Sequence, residues 1–198
     1  MSESISEKAS PFRSLHQRNV RVYFVGLLLS NVGTWLQFTA TSLLIYQINN
    51  RATDAGWNTM FQFLPMLLLG AWAGGFADRH DRRTITMWTQ FALLIQAALL
   101  AAADFGGFAT LPMIYTLSLI LGIANAIDNP SRRGLVTELV EPAEISNAMS
   151  LNTTVMTGSR VFGPALAALL IGPLGTAWLF AMNAVSYVAV IASIFMLR

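Results

Sequence analysis

The feature that most constrains this chain is a succession of apolar stretches, each long enough for a helix to cross a lipid bilayer. A membrane-spanning helix takes roughly 20 predominantly apolar residues, and six such stretches follow one another between short polar segments. Lipid offers the backbone no hydrogen-bond partners, so only helices or closed barrels span it, and a barrel would show short segments of alternating polarity. The sequence therefore predicts an all-α bundle of six transmembrane helices.

The predicted spans are separated by turn-forming and charged residues. They cover approximately 22–46, 55–76, 85–103, 111–127, 148–171 and 178–197, and together they form a bundle over 22–198 that follows a polar segment, 1–21. Of the 198 residues, 55% are hydrophobic and only 11% are charged, which is too apolar for an ordinary soluble domain. The first apolar run is too long for a signal-peptide core, so we expect no cleavage.

Lysine and arginine residues predict the orientation, because short loops that carry them stay in the cytoplasm. Ten fall on one side of the predicted bundle: Lys8, Arg13, Arg18, Arg21, Arg79, Arg82, Arg83, Arg132, Arg133 and Arg198. Arg51 lies on the opposite side, and Arg160 lies within a span. We therefore expect an integral protein of the plasma membrane, the inner membrane of a bacterium, with both termini in the cytoplasm.

Several function classes are disfavoured by the residues that the sequence contains. The net charge of +2 is not gathered into one basic patch, so no nucleic-acid partner is expected. No P-loop motif for ATP and no metal-ligand cluster occurs, and His16 and His80 both lie in predicted cytoplasmic segments. The sequence therefore predicts no enzyme, no cofactor and no metal.

The most informative motif follows the second predicted span. The stretch from Gly74 to Arg83, GGFADRHDRR, resembles the G-x-x-x-D-R-x-G-R-R signature that major facilitator superfamily transporters carry between their second and third helices. The residues that match are Gly74, Asp78, Arg79, Arg82 and Arg83. Asp81 stands where the general pattern has glycine, as in the branch of enterobactin-exporter-like and macrolide-efflux-like proteins.

Four further segments look like the same branch, so the resemblance covers nearly the whole chain. They are Gly33 to Gln37, Asp128 to Arg132, Glu138 to Val140 and Arg160 to Pro164. The resemblance implies the amino-terminal half of a facilitator, with two inverted three-helix repeats.

For the motif after the second span, the resemblance implies a conformational latch that favours the outward-open state. Gly74 is expected to allow close helix approach, and Asp78 lies one turn later at the membrane edge. In the family a carboxylate at the end of the fourth helix often completes the latch, and Asp128 occupies that place. We expect Asp78, Arg82 and Asp128 to form one cluster; the alternative is that these charges only set topology.

Polar residues within the spans are candidates for the substrate path or for energy coupling. Asn31, Thr34 and Gln37 lie on the first span, and Tyr115 and Asn125 lie on the fourth. In the superfamily these two helices line the central path, although ordinary hydrogen bonding between helices also explains such residues. Arg160 is a candidate because ionisable groups in membrane spans are costly; the alternatives are a structural ion pair, with Asp128 as the candidate carboxylate, or a snorkelling side chain.

The fifth span contains the core of a signature associated with drug and proton antiporters, carried by Gly158, Gly163 and Pro164. Proline leaves a carbonyl one turn back without its hydrogen bond, so we expect a break or bend in the helix here, or a close helix contact. The alternative is a packing kink without a role in coupling.

As a whole, the resemblance implies proton-coupled export of a small molecule, such as a siderophore or a hydrophobic drug-like compound, by alternating access. The expected partners are the substrate, the proton, the lipid bilayer, and either a carboxyl-terminal six-helix half or a second copy, because the path runs between two halves. Two alternatives stay open: an inactive fragment or structural membrane protein, and a six-helix channel, for which no filter ring or re-entrant loop is evident.

Overall fold

A computed structural model describes residues 17–196, which form six long α-helices. The helices are α1 (Arg18–Asn49), α2 (Ala52–Arg79), α3 (Arg82–Phe105), α4 (Leu111–Glu138), α5 (Ile145–Leu174) and α6 (Thr176–Met196), with a short 3₁₀ turn at Pro142–Glu144. No strand occurs among the described residues, which confirms the all-α prediction. Lys8, Arg13, His16, Arg198 and most of the predicted segment 1–21 lie outside the described range.

The helices α2 to α6 are each long and apolar enough to cross a membrane. The longest helix, α1, has 32 residues and falls outside this group. Its middle carries Asn31, Thr34 and Gln37, which lower its hydrophobicity. A membrane helix with such a polar middle is expected to face protein or water there rather than lipid.

The order in which the helices pack follows an internal symmetry. α1 packs against α5 and α6, α4 packs against α2 and α3, and α3 also packs against α6. When α1, α2 and α3 are exchanged with α4, α5 and α6, the first four of these contacts replace one another in pairs, and the contact between α3 and α6 maps onto itself. This is the pattern of two inverted three-helix repeats, as in each half of a major facilitator.

Two glycines allow the close crossings that relate the repeats. A Cβ at Gly122 on α4 would collide with the carbonyl oxygen of Gln62 on α2, and a Cβ at Gly163 on α5 would collide with the Cβ of Trp35 on α1. Small residues at such contacts let membrane helices approach closely. α5 runs unbroken through Gly163 and Pro164, so the predicted break is wrong, and Gly163 makes the close helix contact instead. A bend at Gly158, Gly163 and Pro164 stays a prediction.

The fourth helix extends well past the predicted end of its span. It continues to Glu138 with Pro130 inside it, through a segment that the sequence indicates to be a hydrophilic connection. Leu135 and Val136 are buried in a cluster with Tyr23 of α1, at the end of the bundle where α1 begins. Burial of these apolar side chains explains why the helix continues into a charged stretch.

The helices α2 and α5 are the least covered of the bundle. Within their apolar windows 22% and 17% of the residues are buried, against 44–50% for α3, α4 and α6. Leu67 on α2 is 81% exposed and Leu169 on α5 is 73% exposed. The buried residues of these helices are instead small or polar, as at Asn58 and Ser159.

Candidate functional site

A cavity of about 600 Å³ lies between α1, α2, α4 and α5. Four of the residues predicted for the substrate path line it, namely Asn31, Thr34, Asn125 and Arg160. The side chains come from the helices at one side of the bundle, whereas α3 and α6 contribute none. The cavity is large enough for a small organic molecule.

Helical periodicity brings the lining residues to common faces. On α4, Asn125, Asn129 and Arg133 recur every four residues, and on α1, Asn31, Trp35 and Phe38 are spaced by four and then three residues. Residues three or four apart lie on one side of a helix. α1 and α4 therefore each present a continuous stripe of polar or aromatic side chains to the cavity.

The charged residues of the cavity wall are both arginines, Arg133 and Arg160. The guanidinium carbon of Arg160 lies 5.1 Å from the ring centre of Trp35, which is a cation–π contact. Within residues 17–196, neither arginine forms an ion pair with a carboxylate. Arg160 and Asp128 are therefore not paired, and the structure gives Asp128 other partners.

Gln37, a predicted path residue, is buried away from the cavity. Its Nε2 donates to Oε1 of Gln96 at 3.0 Å, and its Oε1 accepts from Nδ2 of Asn183 at 2.8 Å. Thr34 lines the cavity, and its hydroxyl also shares a 3.1 Å hydrogen bond with that of Tyr187. These bonds join α1, α3 and α6, which is the hydrogen bonding between helices that the sequence left as the alternative.

Tyr115 also lies outside the cavity lining. Its hydroxyl donates to the backbone carbonyl of Asp54 at 3.4 Å, and its ring packs against Phe61 at a centroid distance of 5.3 Å. The residue therefore joins α4 to the start of α2.

Asp128 takes part in a buried polar cluster between α3 and α4. It is 1% exposed, and its Oδ2 lies 2.5 Å from Nε of Arg132. It also accepts hydrogen bonds from Thr89 Oγ1 at 2.6 Å and Gln90 Nε2 at 3.0 Å. Arg132, which the sequence assigns to topology and to a segment that resembles the family, is thus the buried counter-ion of this carboxylate.

The predicted cluster of Asp78, Arg82 and Asp128 is divided in the structure. Arg82 Nη2 lies 3.0 Å from Asp78 Oδ1, as expected, but its Nη1 lies 3.3 Å from Glu138 Oε1. The Arg82 side chain also packs tightly over Gly134. Glu138 takes the expected place of Asp128 because ten more residues of helix follow position 128, which at about 1.5 Å each add about 15 Å.

The other residues of the motif have separate contacts. Arg83 Nη2 donates to the carbonyl oxygen of Ile194 near the end of α6 at 2.7 Å, whereas Arg79 is exposed. A Cβ at Gly74 would meet no atom within 4 Å, so the close helix approach expected at this glycine is not made within the described bundle.

Asp81, the residue that distinguishes this motif from the general pattern, caps α3. Its carboxylate accepts from the backbone N–H of Thr84 at 2.9 Å and from the Thr84 hydroxyl. The bond from the Thr84 hydroxyl, followed by the bond from its backbone N–H, lowers the pKa of Asp81 below its usual range. A lowered pKa keeps the cap charged at neutral pH, so its contribution to stability is lost only as the pH falls through that pKa.

Five residues of the clusters around Asp128 and Arg82 were not predicted as site residues from the sequence: Thr89, Gln90, Arg132, Gly134 and Glu138. A signal was present for Arg132, because Asp128 and Arg132 have the i, i+4 spacing of a helical ion pair. Glu138 carries a weaker signal, since it belongs only to a short segment that resembles the same branch.

Comparison with known proteins gives a family match over nearly the whole chain. A family model described as transmembrane secretion effector matches residues 9–198. The uncharacterized MFS-type transporter YfiS of Bacillus subtilis (strain 168) is 27% identical over 172 residues, which are 85% of this chain and 40% of that protein. MFS denotes the major facilitator superfamily.

Two further relatives have names that state what they transport. The staphyloferrin A transporter of Staphylococcus aureus is 22% identical over 169 residues, covering 84% of this chain and 42% of that protein. Macrolide efflux protein A of Enterococcus faecalis is 26% identical over 114 residues, covering 57% of this chain and 35% of that protein. The chain thus spans about two fifths of the length of the first two relatives, 40% and 42%.

Proposed function

Since this chain belongs to the transmembrane secretion effectors of the major facilitator superfamily and corresponds to an amino-terminal six-helix half, we propose that it forms one wall of a secondary active exporter. The observation that carries the proposal is the 600 Å³ cavity, whose wall holds two arginines without an ion pair in the described bundle. A membrane protein that exposes such groups needs water or a ligand beside them.

A second six-helix unit is expected to close the cavity from the other side, as in complete facilitators. The helices α2 and α5 border the cavity and are the least covered of the bundle. This unit is either a carboxyl-terminal six-helix half or a second copy of the chain, and lipid surrounds the two units.

The proposed substrate is a small organic molecule, such as a siderophore or a hydrophobic drug-like compound. The names of two relatives support this range, one a staphyloferrin A transporter and the other a macrolide efflux protein. No P-loop motif for ATP occurs in the sequence, so the proposal takes a proton gradient as the energy source and alternating access as the mechanism. The proposed location is a bacterial inner membrane, with both termini in the cytoplasm.

The transport proposal is tested with single cysteines, since the chain has none of its own. Leu67→Cys and Leu169→Cys place a thiol on the uncovered helices, and Trp88→Cys on α3, where the side chain is 69% exposed, is the matched control. In native membranes we expect the first two variants, but not the control, to crosslink to a second six-helix unit.

Proteoliposomes that contain this chain together with the second six-helix unit to which it crosslinks are then loaded with a siderophore or a macrolide. We expect efflux that depends on an imposed proton gradient. Crosslinking without efflux would favour a structural membrane protein, flux without dependence on the gradient would favour a channel, and either result would overturn the proposal.

We further propose that Asp78, Arg82 and Glu138 form the cytoplasmic latch. The Arg82 side chain on α3 connects the end of α2 to the end of α4, and Arg83 bonds the end of α6. These contacts hold three helix ends together at one face, which supports a role in stabilising the outward-open state.

Asp78→Asn is expected to shift the assembled transporter toward the inward-open state by at most about fivefold, because ion pairs as exposed as this one contribute about 0.2–1 kcal/mol. The Asp78 side chain is 72% exposed. The shift is measured as the labelling rate of a single cysteine in the cavity wall, at Met156→Cys. Glu141→Gln removes an exposed carboxylate from the same face and is the control. Equal labelling rates in both variants would remove the latch hypothesis.

A further inference from the structure

We propose that the cavity selects an anionic amphiphile: an organic acid with an apolar body and at least one hydrogen-bond donor, whose acidic group meets Arg160 and Arg133. The inference rests on the proposed transport function, since it concerns the same cavity. It adds the sign of the substrate charge, which transport alone does not fix.

Arg160 is positioned to receive an anion within the span. Its guanidinium carbon lies over the Trp35 ring, and a cation–π contact does not occupy the N–H donors of the guanidinium, which stay available to other partners. Gly163, one turn later on α5, packs tightly against Trp35 and thereby fixes the indole beside α5. Because residues 17–196 give Arg160 no ion pair, its donors are open to a ligand.

Arg133 extends the positive wall toward the cytoplasmic end. It shares one face of α4 with Asn125 and Asn129, and all three line the cavity. Side-chain amides donate hydrogen bonds, so this stripe suits carboxylate oxygens along its length. The nearest acidic residue in the α4 sequence, Asp128, is buried and bound to Arg132, and therefore does not neutralise the stripe.

Gln62 indicates that the ligand also carries a donor. The residue lines the cavity and is only 9% exposed, yet its Oε1 has no hydrogen-bond partner among the described residues. A buried acceptor without a donor is unfavourable. A hydroxyl on the apolar body of the substrate would satisfy this oxygen.

Aromatic side chains supply the apolar part of the wall. Trp35 and Phe38 contact each other edge to face with ring centres 5.4 Å apart, and Phe63 of α2 lies 6.3 Å from Phe38. This row across α1 and α2 suits an apolar or aromatic body. A cationic amphiphile of the same shape would meet two guanidiniums and no carboxylate of the cavity lining, which disfavours it.

The test uses four fluorescent probes that share one ring system and differ in charge or donor: naphthoate, hydroxynaphthoate, naphthamide and naphthylmethylammonium. Each is equilibrated by dialysis against the full chain in phosphatidylcholine nanodiscs. We expect naphthoate to bind saturably and about tenfold more tightly than naphthamide, as for one charge-assisted hydrogen bond. Hydroxynaphthoate is expected to bind more tightly than naphthoate. For naphthylmethylammonium, the bound amount is expected to equal the amount that partitions into nanodiscs without protein.

Variants assign the selectivity to named residues. Arg160→Gln is expected to abolish the preference for naphthoate over naphthamide, Arg160→Lys to restore part of it, and Gln62→Leu to remove only the advantage of hydroxynaphthoate. The matched control is Arg51→Gln, which makes the same charge change outside the cavity lining. Equal thermal unfolding of the variants shows that a loss of binding is not a loss of fold.

Three results would overturn the inference: equal binding of the anionic and cationic probes, unchanged selectivity in Arg160→Gln, or loss of selectivity when phosphatidylglycerol replaces phosphatidylcholine. The last result would assign the arginines to the headgroup of an anionic lipid. If any of these results is found together with gradient-driven efflux, the transport proposal holds and only the substrate class is wrong. If binding is charge-selective but no efflux occurs, only the transport proposal is wrong.

Discussion

Asp128→Asn is expected to destabilise the bundle by about 3–5 kcal/mol, because it leaves the charge of Arg132 buried without a counter-ion. The Arg132 side chain is 12% exposed and the Asp128 side chain 2% exposed. Asparagine keeps the size of the side chain and one carbonyl oxygen for Thr89 or Gln90, so the change removes the negative charge together with one acceptor oxygen. The free energy of unfolding is measured by titrating the protein in dodecylmaltoside with sodium dodecyl sulfate.

A double-mutant cycle separates the ion pair from its surroundings. Arg132→Met alone is expected to destabilise the protein, whereas Asp128→Asn combined with Arg132→Met is expected to cost less than the two single changes together, because no unpaired charge remains. Arg133→Met, at the adjacent exposed position, is the matched control and is expected to change stability by less than about 0.5 kcal/mol. Strict additivity of the two single effects would show that the pair is not coupled.

The sequence predicted the architecture well because the apolar periodicity and the arginine distribution are properties of whole segments. Six helices, their order and the family match all follow from patterns that tolerate an error of several residues. The contact of Arg82 with Glu138 could not be predicted from such segment-wide patterns. It depends on α4 staying helical past Pro130, which the burial of Leu135 and Val136 brings about.

Helical phase explains why one predicted path residue turned away from the cavity. At about 100° per residue, Gln37 is rotated by about 60° from Thr34, around the helix and toward α3 and α6. The sequence places Thr34 and Gln37 together because both are polar. Whether the amide of Gln37 contacts a substrate or another amide depends instead on which helices pack against its face of α1. Gln96 and Asn183 supply those amide partners, and no spacing within α1 reveals them.

The charged residues of the cavity wall could likewise be predicted only in part from the sequence. Arg160 was identified from the sequence because an ionisable residue within a span is rare. Arg133 and Arg132 are adjacent in the sequence, yet one lines the cavity and the other is buried against Asp128. Two neighbouring residues on a helix point about 100° apart, so only the packing of α4 distinguishes the candidate binding arginine from the structural one.

Gly122→Ala is expected to destabilise the bundle by about 1–3 kcal/mol, as overpacking of a tight contact generally does. The added methyl group would collide with the backbone carbonyl of Gln62 and lie 2.9 Å from the Pro65 ring. A backbone carbonyl cannot rotate away as a flexible side chain would, so α2 and α4 must separate. The crossing borders the cavity through Gln62, and loss of naphthoate binding is expected to accompany the loss of stability.

Gly158→Ala in α5 is the matched control, because the nearest atom to its added methyl group is Phe162 Cδ2 at 4.0 Å. An alanine in a helix interior is favoured over glycine by roughly 0.5–1 kcal/mol, so this variant is expected to unfold at an equal or higher detergent concentration. The same substitution thus has opposite signs at two helical glycines, and the difference isolates the close helix crossing from helix propensity. Equal unfolding midpoints for the two variants would show that α2 and α4 do not meet at Gly122.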